Sequence, residues 1–421
     1  KGVNSGNMYS SALRGAYSTS PLMPVYLQSD GRADQNNGYS YSQTGDWNQY
    51  DYNAYASMMR GNSVSTNQNF VANVFAEIQP IKNLKIKTQI GYTQTSQTLD
   101  KVSQSMYKGH TVTWTNTAAY DWKIQDHAFN AMIGMETEDF SGENMNGSNS
   151  LLDLYADWET AYLSNASNTG AATALGYPSD DYRRISYFGR LGWNWKETYM
   201  INATLRCDGS SRFAAGNRWG WFPSVSAGWV ITSEKFMKST ASWLDFLKIR
   251  GSWGQVGNNN IGSYLYASSI TLASTGYNFG TGKGTDVNTT GAYTVRFGNE
   301  NLKWETSEQT DLGFDARFIG SRLGLNFDYY IKKTKDWLVQ APIIGTAGAS
   351  APYINGGDVT NKGVEVNLTW NDNIGKDFSY NIGGNFAYNK NTVGAIPTSD
   401  GIIHGSTSAS ALRDNMGEYY R

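Results

Sequence analysis

The sequence predicts an all-β protein, a transmembrane antiparallel β-barrel with about a dozen strands in this chain. Three observations predict it. Apolar and polar residues alternate with period two over long stretches, those stretches outrun the strands of soluble sheets, and tight connections alternate with long ones. Composition agrees. Of 421 residues only 17% are charged, against roughly 25% in ordinary globular chains, while 45 Gly, 28 Tyr and 14 Trp are present. The net charge of -2 lacks the basic face that sequence-blind nucleic-acid binding needs. Low charge with abundant aromatics argues against disorder. No apolar run approaches the ~18 residues of a membrane helix. The mean hydropathy of -0.50 averages two faces and hides their difference.

The elements follow in order from about Asn69. Val112, Trp114, Ala118, Tyr120 and Trp122 alternate with Thr111, Thr113, Thr115, Thr117 and Asp121. Ile185, Tyr187, Leu191, Trp193 and Trp195 alternate with Ser186, Arg190 and Asn194. From Leu302 to Phe318 the even positions are largely apolar with a polar middle, and the odd ones carry no apolar side chain. Leu323 to Ile331, Val364 to Trp370 and Phe378 to Tyr388 repeat the pattern. Period two over such lengths makes a strand with one greasy and one wet face. Many of these runs exceed the ~5–6 residues usual in soluble sheets.

Tight connections are expected at Pro80–Asn83, Lys123–Asp126, Lys196–Thr198, Gly320-Ser321 and Ile374–Lys376. Long ones, rich in Gly, Ser, Asn and Thr, are expected over 141–181, 258–301, 340–358 and after Val393, with middling ones over 99–108 and 209–218. A brief helix with an acidic first turn is expected within 232–245, on the short side. Short turns at one rim and long loops at the other describe an outer-membrane barrel. Hydrocarbon leaves no water for unpaired backbone groups, so a membrane sheet must close on itself. Trp122, Trp195, Tyr199, Trp219, Trp221 and Trp370 suit interfacial girdles. On this reading 1–66 is an extracellular-side loop region, 67–393 carries the strands, and 394–421 is again extracellular-side loop, the barrel continuing beyond the chain.

Chemistry-bearing signals are sparse. Cys207 is the single cysteine and sits in a strand, as a small buried or lipid-facing hydrophobe. His110, His127 and His404 are too scattered to activate it. The string 280–285 mimics the end of a phosphate-binding loop, but Tyr277 stands where that loop needs glycine. Asp180-Asp181 and the acids of 30–34 lack the spacing of a calcium loop. The sequence therefore nominates no catalytic residue, no metal site and no cofactor.

Several strings occur in a recognisable order. Arg206-Cys207-Asp208-Gly209-Ser210-Ser211-Arg212-Phe213 leads into Asn217-Arg218-Trp219-Gly220-Trp221-Phe222-Pro223-Ser224. Leu247-Lys248-Ile249-Arg250-Gly251-Ser252-Trp253-Gly254-Gln255-Val256-Gly257-Asn258 follows, then Asn301-Leu302-Lys303-Trp304-Glu305-Thr306. Asp328-Tyr329-Tyr330 and Asn355-Gly356-Gly357-Asp358-Val359-Thr360-Asn361-Lys362-Gly363-Val364-Glu365 complete the set. Together they resemble the barrel of SusC/RagA-like TonB-dependent transporters of the Bacteroidetes outer membrane. The resemblance implies a barrel of about 22 strands plugged by an N-terminal domain. It implies import of glycans or peptides through the outer membrane, with a SusD-like surface lipoprotein as lid and TonB as energy source. The TonB-contacting segment, the plug and the closing strands are not found in this sequence, which fits a fragment.

The motif residues themselves read as architecture. Asn355-Gly356-Gly357, Asn361-Lys362-Gly363 and Asp208-Gly209-Ser210 supply turn residues at strand ends, while Trp304 belongs to the same ordered set. Glu305 and Glu365 fall on the polar face, toward lumenal Lys or Arg or a plug. Substrate-binding candidates are the loop aromatics Trp47, Tyr50, Tyr52, Tyr155, Trp158, Tyr162, Tyr277 and Phe279. Flanked by Asn, Asp and Gln, they either stack on sugars or peptides, or pack loops together or against the lipoprotein. A passive porin-like channel is the alternative function; a soluble adhesive sandwich would not sort its loops by rim.

Overall fold

The computed structural model of the protein describes residues 64–100, 103–149, 162–164, 172–272, 277–279, 287–289, 291–341, 343 and 347–394. The strands are β1 (Val64–Ile81), β2 (Leu84–Asp100), β3 (Ser103–Ile124), β4 (His127–Asn149), β5 (Ala172–Pro178), β6 (Tyr182–Trp195), β7 (Tyr199–Ser210), β8 (Trp219–Val230) and β9 (Leu244–Asn258). They continue with β10 (Ser269–Leu272), β11 (Tyr277–Phe279), β12 (Val287–Thr289), β13 (Ala292–Arg296), β14 (Glu305–Phe318), β15 (Leu323–Lys335), β16 (Leu338–Gln340), β17 (Tyr353–Asn355), β18 (Val359–Ile374) and β19 (Phe378–Val393). Hydrogen bonding follows the order β1-β2-β3-β4-β6-β7-β8-β9-β14-β15-β18-β19, with β5 laid on β4. Strands on this path run from 12 to 23 residues. Among the described residues no helix is long and apolar enough to cross a membrane.

Two compact units are present. In the smaller, β4 continues past Gly142 and pairs with β5, from Glu143 opposite Pro178 to Asn149 opposite Ala172. The Ser148 and Thr173 hydroxyls meet at 2.9 Å, and the Asn149 amide donates to the Leu163 carbonyl at 3.2 Å. Within 141–181, residues 141–149 and 172–178 are thus strand rather than loop. The larger unit takes in Phe70–Thr93, His110–Ser141 and the described residues from Asp180 onward.

Register carries the period-two pattern across strands. Ile249, Phe314, Phe327, Val366 and Phe386 lie side by side on one face. One residue along, Arg250, Gly313, Asp328, Glu365 and Ala387 lie side by side on the other. The apolar face is bare: Leu312, Leu368, Phe386, Leu191 and Ile133 are all exposed. Exposed apolar surface on this scale marks a face that water does not cover. On β19 the run Phe378 to Tyr388 spans ten steps, about 33 Å of strand at ~3.3 Å per residue. Tilted by ~40°, that becomes about 25 Å, the height of the apolar band in outer-membrane barrels.

Tight turns gather at one end. Left-handed backbone occurs at Asn83, Gln125, Lys196, Glu197, Ile319, Gly320, Ser321 and Gly375, all in the short connections. Two consecutive positive φ angles, at Lys196 (50°) and Glu197 (56°), match the twist of the flanking strands. Beside these turns runs a belt of stacked rings. Trp122 meets Phe129 at 5.1 Å, Trp195 meets Tyr199 at 5.5 Å, Tyr199 meets Trp229 at 6.1 Å, and Trp243 meets Phe318 at 6.0 Å.

Four further expectations change. The strand containing Thr306 begins at Glu305, so Leu302 and Trp304 turn inward instead of alternating. The segment 232–245 holds short 3-10 turns, Ile231–Ser233 and Lys235–Thr240, with Glu234 ahead of the second rather than in its first turn. That carboxylate accepts from the Tyr199 hydroxyl and, at 3.2 Å, from the Trp229 indole. Asn361, Lys362 and Gly363 are paired strand residues in β18 with no left-handed backbone. Gly363 is needed for another reason: a Cβ there would collide with the Tyr330 ring. Finally, β2 reaches Asp100 and β3 starts at Ser103, so the middling connection over 99–108 is mostly strand.

Candidate functional site

The polar face carries fixed charge. On β9, β14 and β15 the Arg250 guanidinium reaches both oxygens of Asp328, at 2.5 and 2.7 Å. It also reaches Asp315 at 3.3 Å and Asp311 at 3.5 Å. The Asn326 amide donates to Asp315 at 2.7 Å. Three carboxylates share one guanidinium, and Glu365 stands opposite Asp328 in register. Beside them Asn326, Asp328, Glu365, Asn367 and Asn385 line a shallow polar hollow of about 390 Å³.

A second network spans β4, β6 and β7. Arg184 pairs with Glu138 at 2.9 Å, and Arg206 with Asp208 at 2.7 Å and Glu136 at 3.3 Å. Arg206 also donates to Ser186 at 2.9 Å and lies over the Phe188 ring. Tyr182 donates to Glu138 at 2.8 Å. Charge-assisted bonds of this length hold side chains in place rather than leaving them to solvent.

Toward the long-connection end the motif strings close a small apolar core. Phe213 and Leu302 are fully buried, with Phe222, Ile261, Leu265 and Trp304 around them. Trp304 packs 5.5 Å from both Phe213 and Phe222, and its indole N–H donates to the Arg218 carbonyl at 2.8 Å. Arg212 lies 4.2 Å above the Tyr182 ring and pairs with Asp180 at 2.9 Å. Ser210 accepts from the Asn259 amide at 2.9 Å. Asn355 clamps Lys303, accepting from its N–H at 2.9 Å and donating to its carbonyl at 2.8 Å. Glu305 accepts from Asn258 at 3.1 Å and from the Leu338 N–H at 3.2 Å. Gly357, at φ 86°, takes the left-handed turn that follows Asn355.

Asp208, Gly209, Ser210, Trp304 and Glu305 therefore cluster around the top of β7, β8, β9 and β14, whereas Asn361 to Glu365 belong to β18. Asp180 is committed to Arg212 and to the Ser263 N–H, and no group of metal-binding residues occurs among the described residues. Of the aromatic candidates, Tyr162 is described and exposed. Tyr277 and Phe279 lie on β11, paired with β12. Trp47, Tyr50, Tyr52, Tyr155 and Trp158, like the string 280–285, lie outside the described residues. Arg206 and Arg250 stand in the motif strings, but no motif marks them or Arg184 as site residues. Parity would have found Arg250, which falls between Ile249 and Gly251 on the wet face of its strand.

Long antiparallel strands in neighbour order, bare and apolar on one face and charged on the other, define the wall of a membrane-spanning β-barrel. The profile of one family, described as TonB dependent receptor-like, beta-barrel, matches residues 6–412, and the chain belongs to that family. It is 28% identical over 427 residues to TonB-dependent receptor SusC of Bacteroides thetaiotaomicron, covering 93% of this chain and 41% of that protein. To TonB-dependent receptor P3 of Formosa agariphila it is 34% identical over 231 residues, covering 54% of this chain and 22% of that one. A solved structure of the RagAB peptide importer in its closed-closed state superposes with a TM-score of 0.66 at 27% identity, over 80% of this chain and 38% of that one. The chain spans less than half the length of these relatives.

Proposed function

We propose that this chain is the barrel wall of an active importer in the outer membrane, energised through TonB. Its long connections face outward and carry a SusD-like lipoprotein lid, and its cargo is a glycan or peptide nutrient. The observation that carries the reading is the similarity to TonB-dependent receptor SusC along 93% of the chain, which supports the TonB coupling; the charged polar face suits the wet interior of such a barrel. The similarity to a peptide importer favours peptide cargo over glycan. Residues 1–66 and 394–421 belong on the outward side in this reading, and Trp47, Tyr50, Tyr52, Tyr155, Trp158, Tyr162, Tyr277 and Phe279 contact cargo or lid. Catalysis has no part in it.

The test is uptake of labelled oligopeptides and oligosaccharides by cells expressing the full-length protein, with TonB present or deleted. Loss of uptake on deletion supports import; unchanged uptake establishes a passive channel.

A further inference from the structure

On the apolar face, the first residue beyond the greasy run of three neighbouring strands is a lysine. It is Lys333 after Ile331 on β15, Lys362 before Val364 on β18, and Lys390 after Tyr388 on β19. All three are exposed. Lys362 and Lys390 are directly opposite in register, and Lys333 stands diagonally from Lys362 because Ile331 is its partner. Like charges directly opposite on one face destabilise a sheet. Lys335, the next on that face, is taken by Glu308 at 2.8 Å. Glu308 stands opposite Lys333 in register but pairs with Lys335, and among the described residues no carboxylate is within ion-pair distance of the Lys333, Lys362 or Lys390 ammonium.

Immediately below lies the row Tyr329, Val364 and Tyr388, then Phe327, Val366 and Phe386. The surface thus offers three lysines without an ion pair above the exposed rings of Tyr329, Phe386 and Tyr388 and the half-buried Phe327, Val364 and Val366. An amphiphile with an anionic head and acyl tails satisfies both halves at once, which a free anion does not. Basic residues beside a membrane attract anionic headgroups by about 1 kcal/mol each, close to fivefold in affinity.

We propose that Lys333, Lys362 and Lys390 form a docking site for a phosphate-bearing lipid of the outward leaflet, its acyl chains lying against Tyr329, Val364 and Tyr388. The inference rests on the membrane-spanning, outward-facing orientation proposed above. Its test is native mass spectrometry of the full-length protein titrated with bis-phosphorylated lipid A, dephosphorylated lipid A or inorganic phosphate. The triple variant K333Q/K362Q/K390Q binds the phosphorylated lipid roughly 100-fold more weakly at low salt, from about fivefold per lysine. The dephosphorylated lipid binds variant and parent equally, and inorganic phosphate binds neither at lipid-competing concentrations. Equal lipid affinity in variant and parent overturns the proposal, as does inorganic phosphate binding as tightly as the lipid. A variant that keeps its lipid but loses a co-purifying acidic protein also overturns it, because the lysines then serve a protein partner. Flotation with membranes separates the two levels. Protein that inserts but binds lipid equally with and without the lysines refutes this site alone; protein that fails to insert refutes the membrane-spanning reading as well.

Discussion

Replacing Arg250 by Met tests whether the polar face is held by charge. In the folded protein this guanidinium makes a two-pronged contact with Asp328 and single contacts with Asp315 and Asp311. Its side chain is 32% exposed, and the three carboxylates are 21–26% exposed. A surface pair contributes roughly 0.2–1 kcal/mol, and removing one partner of a buried pair costs about 3–5 kcal/mol. This site lies between those limits, so Arg250→Met costs about 2 kcal/mol, close to a thirtyfold shift toward the unfolded state. The loss is electrostatic, because Met preserves most of the side chain's volume. Adding Asp328→Asn to Arg250→Met therefore recovers part of it. The assay is urea unfolding of the full-length protein in detergent, followed by the mobility difference between folded and heat-unfolded barrels. A double-mutant cycle over Arg250 and Asp328 then isolates their coupling. An unchanged midpoint for Arg250→Met, or a coupling near zero, refutes the reasoning.

Other substitutions probe the remaining elements. Val366→Arg places a charge in the middle of the apolar face and destabilises the inserted barrel by about 2–4 kcal/mol, while its neighbour Asn367→Arg costs under about 1 kcal/mol; urea midpoints of the two distinguish them. Trp304→Ala removes the ring that packs on Phe213 and Phe222, at a cost of about 3–5 kcal/mol to the apolar core at the long-connection end. Limited proteolysis then cuts within 259–303 before the strands are lost, and equal protease resistance would count against it. Glu197→Gly relieves left-handed backbone at φ 56° and stabilises by about 1 kcal/mol, read as a higher midpoint.

Strand faces were legible in the sequence because burial against lipid and exposure to water repeat every second residue. The tight turns were legible where Asn83, Gly320 and Gly375 accept positive φ, whereas Gln125, Lys196, Glu197 and Ile319 take it without that signal. Leu302 and Trp304 misled because they keep the parity of β14 while leaving its plane to fill the core, and parity cannot see where a chain turns. The Asn361-Lys362-Gly363 string looked like a turn because Asn and Gly tolerate one. Its glycine instead makes room for Tyr330, a cross-strand neighbour 33 positions earlier in the chain. Arg250 and its carboxylates come from three strands, and only register brings them together. The lysine row over β15, β18 and β19 was invisible for the same reason.

One face of these strands meets lipid and the other does not. Single cysteines placed along β18 at 364 to 370 in the full-length, membrane-inserted protein, with Cys207 replaced by serine, carry a spin label for this measurement. Collision with oxygen, which concentrates in hydrocarbon, is compared with collision with a water-soluble nickel chelate. Lipid on one face gives high oxygen contact at 364, 366, 368 and 370 and low contact at 365, 367 and 369. Uniform accessibility to the nickel chelate, or contact without period two, would contradict it.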